Sequence, residues 1–331
     1  MKFSAGHNHH FNADKTSTGP KEEGVVGENF LQAVWPMLVF VVVYQILLWM
    51  LEKGLQYANL MLQEGGAPAR VLTFQCAHAA DYRALMAALG MSLSLLLVLR
   101  LCCRPGEIGF TRHLGAPWQK LFLTALSVLC AAVVLNVFIS QAATGGFSEG
   151  RLRQAVEQTA AGVENAQRQT GSVTLWVGIA VYGFLTPLAE ECIFRGITMR
   201  RLYKVILLQR MPQGEKEYEV GREKEGVLGE DDAGKRARLL AAVLSSLFFG
   251  LYHGNVAQGI YAACMGLAFC RMLEIAENLG VIVLLHGAVN VAVLLLERSG
   301  GWNSGYQSSF LAVLLGVALC SAAAAHRWTE L

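Results

Sequence analysis

Residues 173–197 read VTLWV GIAVY GFLTP LAEEC IFRGI, and this stretch decides the fold. No charge appears from Val173 to Ala189, and then Glu190, Glu191 and Arg195 follow within six residues. A bilayer core is spanned by about 20 apolar residues in a helix, so a run of this length reads as a membrane helix. Ionisable groups inside such a helix are costly, and by default they mark a functional site. On a helix, Glu191 and Arg195 stand four apart and share a face, so Arg195 can neutralise Glu191. Glu190 lies about 140° round from Arg195 at 100° per residue, which leaves its carboxylate to face something else.

Working outward, seven more apolar runs approach the same length: 30–51, 85–103, 121–140, 239–253, 256–272, 279–296 and 310–325. The runs at 239–253 and 256–272 are short, with Gly254 and Asn255 between them. They read as a tight hairpin of two spans or as partly re-entrant segments. Over 331 residues, 54% are hydrophobic and only 16% charged. So few charges cannot cover so much apolar surface in water, and a disordered chain is excluded on the same ground. The fold class expected is all-α, a polytopic bundle of about eight membrane helices. A net charge of +2 gives no case for nucleic-acid binding.

Lys and Arg set the orientation. Arg100, Arg104, Arg112 and Lys120 cluster after the second run; Arg200, Arg201, Lys204 and Arg210 follow the fourth and lead into more basic residues up to Arg238. Two spans separate these clusters, so both fall on one side. The expectation is a multi-pass protein of the bacterial cytoplasmic membrane with both termini cytoplasmic. Residues 1–29 read as a polar tail without a signal-peptide pattern, and His7, His9 and His10 within it read as tail residues, not ligands. Residues 30–171 read as N-terminal membrane helices with a polar extracytoplasmic segment at about 141–171. Residues 172–300 read as the functional core, with a charged cytoplasmic linker at 209–238, and 301–331 as the last helix and C-terminus. The eight cysteines show no CxxC pairing and read mostly as small buried apolar residues.

Two further polar clusters interrupt apolar runs. His253 ends Phe249-Gly-Leu-Tyr-His, with Gly250 and Gly254 as a small-xxx-small pair that would let helices approach. His286 and Asn290 stand four apart on one face of the run 279–296. Each cluster alone has a bland reading: an ion pair at a helix end, a satisfied structural histidine, an interhelical hydrogen bond of about 1 kcal/mol. Together they supply a free carboxylate, two imidazoles and an amide. At 1.5 Å per residue, Glu190 lies about 15 Å from the basic boundary and His286 about 10 Å. His253 lies about 22 Å in if its helix runs straight up. The first two depths agree, and with a tilted or re-entrant helix or a higher basic boundary for His253 the expectation is one water-filled cavity open toward the cytoplasm.

Glu190-Glu191-x-x-x-Arg195, Phe249-x-x-x-His253 and His286-x-x-x-Asn290, in this order, resemble the CaaX-protease and bacteriocin-processing family. These are intramembrane endopeptidases of the type II CaaX prenyl endopeptidase kind. The resemblance covers about 172–300. It implies that Glu190 is the general base on water and that His253 positions that water. It further implies that His286 and Asn290 hold the water and stabilise the oxyanion, while Glu191 and Arg195 support the site. The substrate implied is a membrane-associated or lipidated protein or peptide, with CaaX-type processing, bacteriocin maturation and self-immunity all open. Zn²⁺ held by Glu190, His253 and His286 stays a live alternative, because two His and one Glu are a familiar zinc set. The competing readings are a catalytically silent membrane scaffold or immunity protein and, behind it, a proton-coupled transporter, for which matched broken helices are missing.

Overall fold

The computed structural model describes residues 29–104, 107–108, 110, 113–144, 172–210, 232–299 and 307–327. The expected polar tail, most of the polar segment 141–171 and the central part of the expected linker lie outside these residues. Among the described residues the secondary structure is entirely helical. Helices α1 (Phe30–Glu64), α2 (Ala69–Ala77), α3 (Ala79–Cys102) and α4 (Trp118–Thr144) form the N-terminal part. A continuous helix α5 spans 175–210, followed by α6 (Asp232–Tyr252), α7 (Val256–Ala276), α8 (Leu279–Arg298) and α9 (Gln307–Arg327).

All eight apolar runs lie in long helices. Six of these, α1, α3, α4, α5, α7 and α8, are long and apolar enough to cross a membrane. In α6, Asp232, Lys235, Arg236 and Arg238 dilute the first two turns. The ends of the expected linker at 209–210 and 232–238 belong to α5 and α6. α1 starts at a capping box, in which Asn29 Oδ1 accepts from Gln32 N–H and Gln32 Oε1 accepts from Asn29 N–H. It runs 35 residues, past the expected end at Leu51, to Glu64. At 1.5 Å per residue that is about 52 Å, well beyond a hydrocarbon core.

The burial pattern is that of a membrane bundle. Leu101, Trp118, Trp176 and Leu284 point outward, each more than 65% exposed, while Arg195, Glu191 and Ser245 are fully enclosed. Apolar side chains face the lipid and polar ones face the interior, where partners satisfy them. One apolar core joins α1 and α3 to α5 and α6 through Phe40, Val98, Ile193, Phe194, Leu202 and Phe249. A second joins α4, α7 and α8 through Leu121, Ala132, Phe269, Met272 and Ile282. The N-terminal helices are therefore packed directly against the segment that carries the polar clusters. Of the eight cysteines, Cys130, Cys192 and Cys270 are buried, whereas Cys76, Cys264 and Cys320 are exposed on outer helix faces. The expectation of mostly buried thiols fails because lipid, like a protein core, accepts a small apolar group.

α6 and α7 are two full helices joined by the turn 253–255, and of the two only α7 is long and apolar enough to cross a membrane. Gly254 adopts φ +65° there, and Asn255 caps α7 by accepting from Ala257 and Gln258 N–H. The expected pairing of Gly250 with Gly254 is replaced by another. A Cβ on Gly250 would lie 2.5 Å from the Gly259 carbonyl oxygen, so Gly250 and Gly259 are the close approach between α6 and α7.

Contacts between helix ends define two ends of the bundle. At one end, Gly115 N–H donates to Ala276 O, and Arg201 pairs with Glu107. The basic residues after α3 and late in α5 lie here. At the other end, Thr174 N–H donates to Asp81 Oδ1 at 2.6 Å, and Arg298 donates to Val173 O. The starts of α3 and α5 meet the finish of α8 at this second end.

Candidate active site

The geometry begins with Pro187. Proline has no N–H, so it can serve neither the carbonyl four residues back, Gly183, nor the one five back, Tyr182. The local answer is a π turn over Val181–Leu185, in which Thr186 N–H reaches back to Val181 O. Tyr182 O is thereby left without a donor from Thr186 or Pro187, and Asn290 Nδ2 of α8 fills the vacancy at 3.0 Å. Gly287, one turn before Asn290, lies so close to α5 that a Cβ would collide with Gly183 O. A second π segment, Cys192–Met199, follows the two glutamates, and here Ser245 Oγ of α6 donates to Phe194 O at 2.8 Å. Wide turns on both sides of Thr186–Glu191 thus expose carbonyls that neighbouring helices take up. Such π turns concentrate at functional sites because they re-aim the side chains beside them.

The side chains so aimed form a chain of contacts. Arg195 Nη1 donates to Glu191 Oε1 at 2.9 Å, with both side chains fully buried. The same oxygen accepts from His286 Nδ1 at 2.8 Å. A carboxylate only accepts, so Nδ1 carries the proton and a neutral His286 keeps its lone pair on Nε2. That Nε2 lies 3.7 Å from Glu190 Oε2, beyond direct hydrogen-bond reach. The guanidinium of Arg195 sits over the Phe249 ring at 4.3 Å and near the Phe269 ring at 5.6 Å. Its Nε and Nη2 have no hydrogen-bond partner, so Glu191 and two aromatic faces supply its compensation. Phe269 also packs against His286, with centroids 4.9 Å apart, and Phe249 stands nearly perpendicular to the rings of His286 and His253.

His253 donates through Nδ1 to Phe249 O at 2.8 Å, because a carbonyl can only accept. Its Nε2 is the acceptor. Glu190, His253, His286 and Asn290 all line one cavity of about 330 Å³, together with Thr186, Phe249 and Phe269. That volume holds about ten waters at about 30 Å³ each and falls within the usual range for ligand pockets. All six expected site residues are thus gathered: four on the cavity wall, with Glu191 and Arg195 directly behind. Glu191 has a second task that its spacing did not reveal, since it orients His286 as well as pairing with Arg195.

The expected opening toward the basic end is not found. The cavity walls come from Asn136 and Ile139 late in α4, Tyr182 early in α5, His253 at the α6–α7 turn and Gln258 and Tyr261 early in α7. Glu297, at the end of α8, completes them. Every one of these positions belongs to the end remote from Glu107, Arg201 and Gly115. The depth arithmetic measured Glu190 and His286 from the basic boundary but carried no information on which way the cavity continued.

A zinc ion would need Glu190, His253 and His286 within common reach. Among the described residues, no group of three His, Cys, Asp or Glu side chains is gathered closely enough to hold a metal ion. As placed, the donors do not fit zinc, and no catalytic step is routed through one.

Several contributors escaped the sequence reading. Phe269 carried no polar signal, and Tyr182 acts through its carbonyl, which any residue possesses. Glu297 stands just past the apolar run 279–296, where a charge carries no signal of its own. Neither a curated protein nor a solved structure matches the chain. Residues 172–292, which hold all six of the clustered site residues, match the family model described as Type II CAAX prenyl endopeptidase Rce1-like.

Proposed function

We propose that this chain is a membrane-embedded endopeptidase that hydrolyses a peptide bond of a membrane-associated protein or peptide with water activated by Glu190. The observation that carries this reading is the relay Arg195–Glu191–His286, which ends 3.7 Å from Glu190. Glu190 Oε2 and His286 Nε2 are both acceptors, too far apart to bond each other. One water can donate a hydrogen to each and turn its lone pairs toward the cavity. Glu190 takes a proton as the water oxygen bonds to the scissile carbonyl carbon. The tetrahedral intermediate then carries its negative charge on the former carbonyl oxygen. Asn290 spends one N–H on Tyr182 O and has a second to offer that oxyanion. When the C–N bond breaks, the proton held by Glu190 passes to the leaving amine, and the acid product retains the hydroxyl.

The lipid bilayer supplies both the setting and the route by which an apolar substrate arrives. The test compares peptide termini by mass spectrometry in membranes of cells that express wild type or Glu190→Gln at equal abundance. Loss of a general base costs about 10²–10⁴-fold in rate, so termini produced by wild type should vanish in the variant. Identical termini in both would overturn the assignment and favour a silent scaffold.

A further inference from the structure

The end of the cavity away from His286 contains a carboxylate that the proposed hydrolysis does not use. Glu297 lines the wall, and its Oε2 is buried without a hydrogen-bond partner. Arg298, the adjacent basic residue, spends its guanidinium on Val173 O. Two more atoms of the same wall share this state: Asn136 Oδ1 from α4 and Tyr261 Oη from α7. Each buried polar oxygen without a donor is costly. Three helices contribute these groups to the cavity lining, and all three oxygens can accept. A carboxylate and an amide oxygen can only accept, so what satisfies them must donate, and a cation is the donor that would also neutralise Glu297. An ammonium offers three N–H donors and a guanidinium five.

Resting on the protease reading above, we propose that Glu297, with Asn136 and Tyr261, forms a cation subsite of the cavity that takes an ammonium or guanidinium group of the substrate peptide. Glu297 lies seven residues beyond Asn290 on α8, about 10 Å along the helix. An extended peptide covers that span in about three residues at about 3.3 Å each. The flexible stem of Lys or Arg absorbs part of it, so the charge belongs to a residue about two or three from the scissile bond.

Binding decides the subsite independently of cleavage. Full-length Glu190→Gln protein in detergent is titrated with fluorescein-labelled, N-acetylated alanine–leucine hexapeptides. Each carries one Lys, walked through the six positions, and each has a norleucine counterpart. One position should favour Lys over norleucine by about tenfold or more, as a charge-assisted hydrogen bond in a desolvated site supplies. Adding Glu297→Gln should erase that preference. Glu297→Lys should transfer it to peptides with Glu at that position, and Glu297→Asp should retain it in part, which excludes misfolding as the cause. Equal binding of Lys and norleucine at every position, a preference that survives Glu297→Gln, or no peptide binding at all overturns the subsite. Peptides that bind selectively but are never cut by wild type would refute the protease reading while leaving the subsite in place.

Discussion

Glu190 and Glu191 are chemically identical neighbours that the fold uses in opposite ways. Glu191 holds two partners, Arg195 at 2.9 Å and His286 at 2.8 Å, with no exposure. Glu190 has no hydrogen-bond partner among the described residues, and His286 Nε2 lies 3.7 Å from it. Removing one member of a buried ion pair leaves the other charge uncompensated and costs about 3–5 kcal/mol. Glu191→Gln should therefore lower the thermal unfolding midpoint markedly as well as abolish cleavage. Glu190→Gln removes a desolvated carboxylate that has no guanidinium to neutralise, so it should abolish cleavage while leaving the midpoint unchanged or raised. Thermal unfolding of both variants in the same detergent checks the pair. Equal destabilisation would mean that Glu190 also carries a structural charge pair. The helical spacing of Glu191 and Arg195 made their pairing legible in the sequence, because i and i+4 positions must meet. The bond to His286 was not legible, because it joins helices 95 residues apart and depends on how α5 and α8 pack.

At the scale of elements, the apolar runs were legible wherever the 20-residue requirement of a bilayer acts, and all eight became helices. Where they end was less legible, since α1 and α5 continue into polar sequence that still favours a helix. The π turns of α5 were not legible either. Pro187 signals a lost hydrogen bond, but whether the helix kinks, breaks or widens depends on Asn290 and Gly287 of another helix. The connection between α3 and α4 adds a tertiary staple of the same unforeseen kind. Glu107 accepts from Arg201 Nε at 2.5 Å and Nη2 at 3.0 Å, and also from Arg104 N–H at 3.0 Å. Arg201 Nη2 further donates to Cys102 O at 2.6 Å. Burial by itself would raise the Glu107 carboxyl, but the hydrogen bonds from Arg201 and Arg104 and their charges outweigh it and hold the pKa below the ordinary carboxylate range. A group whose folded pKa is depressed stabilises the fold above its unfolded pKa, and that contribution is lost as pH falls through the folded value. Wild type should thus exceed Glu107→Gln in thermal stability at neutral pH. The gap should close only as pH drops below the usual carboxylate titration near about 4.3. A gap that stays constant down to pH 3 would show that the carboxylate charge contributes nothing to the staple.

Across the whole molecule, the two ends of the bundle differ in chemistry. One carries Arg104, Lys120, Arg200, Arg201 and Lys204 around the Glu107 staple, and the other holds the cavity from His253 to Glu297. Basic residues beside membrane helices tend to be retained in the cytoplasm, so the charge pattern predicts that the cavity, at the other end of the bundle, opens on the extracytoplasmic side. A substrate would then meet Glu297 near the mouth before its scissile bond reaches Glu190. Cysteine labelling tests this orientation directly. In a bacterial inner membrane, with Cys76, Cys102, Cys103, Cys264 and Cys320 replaced by Ser, one reporter is Gln258→Cys at the cavity mouth. The other is His113→Cys in the loop at the basic end, where the side chain is exposed. A membrane-impermeant maleimide applied to intact spheroplasts should label Gln258→Cys at once and His113→Cys only after permeabilisation. The reverse pattern would mean that the basic end faces outward despite its charge. The cavity would then open to the cytoplasm, and cytoplasmic peptides would become the substrates to test. The two outcomes need no substrate in hand, because the reporters read the same two bundle ends that the Gly115–Ala276 and Arg298–Val173 contacts define.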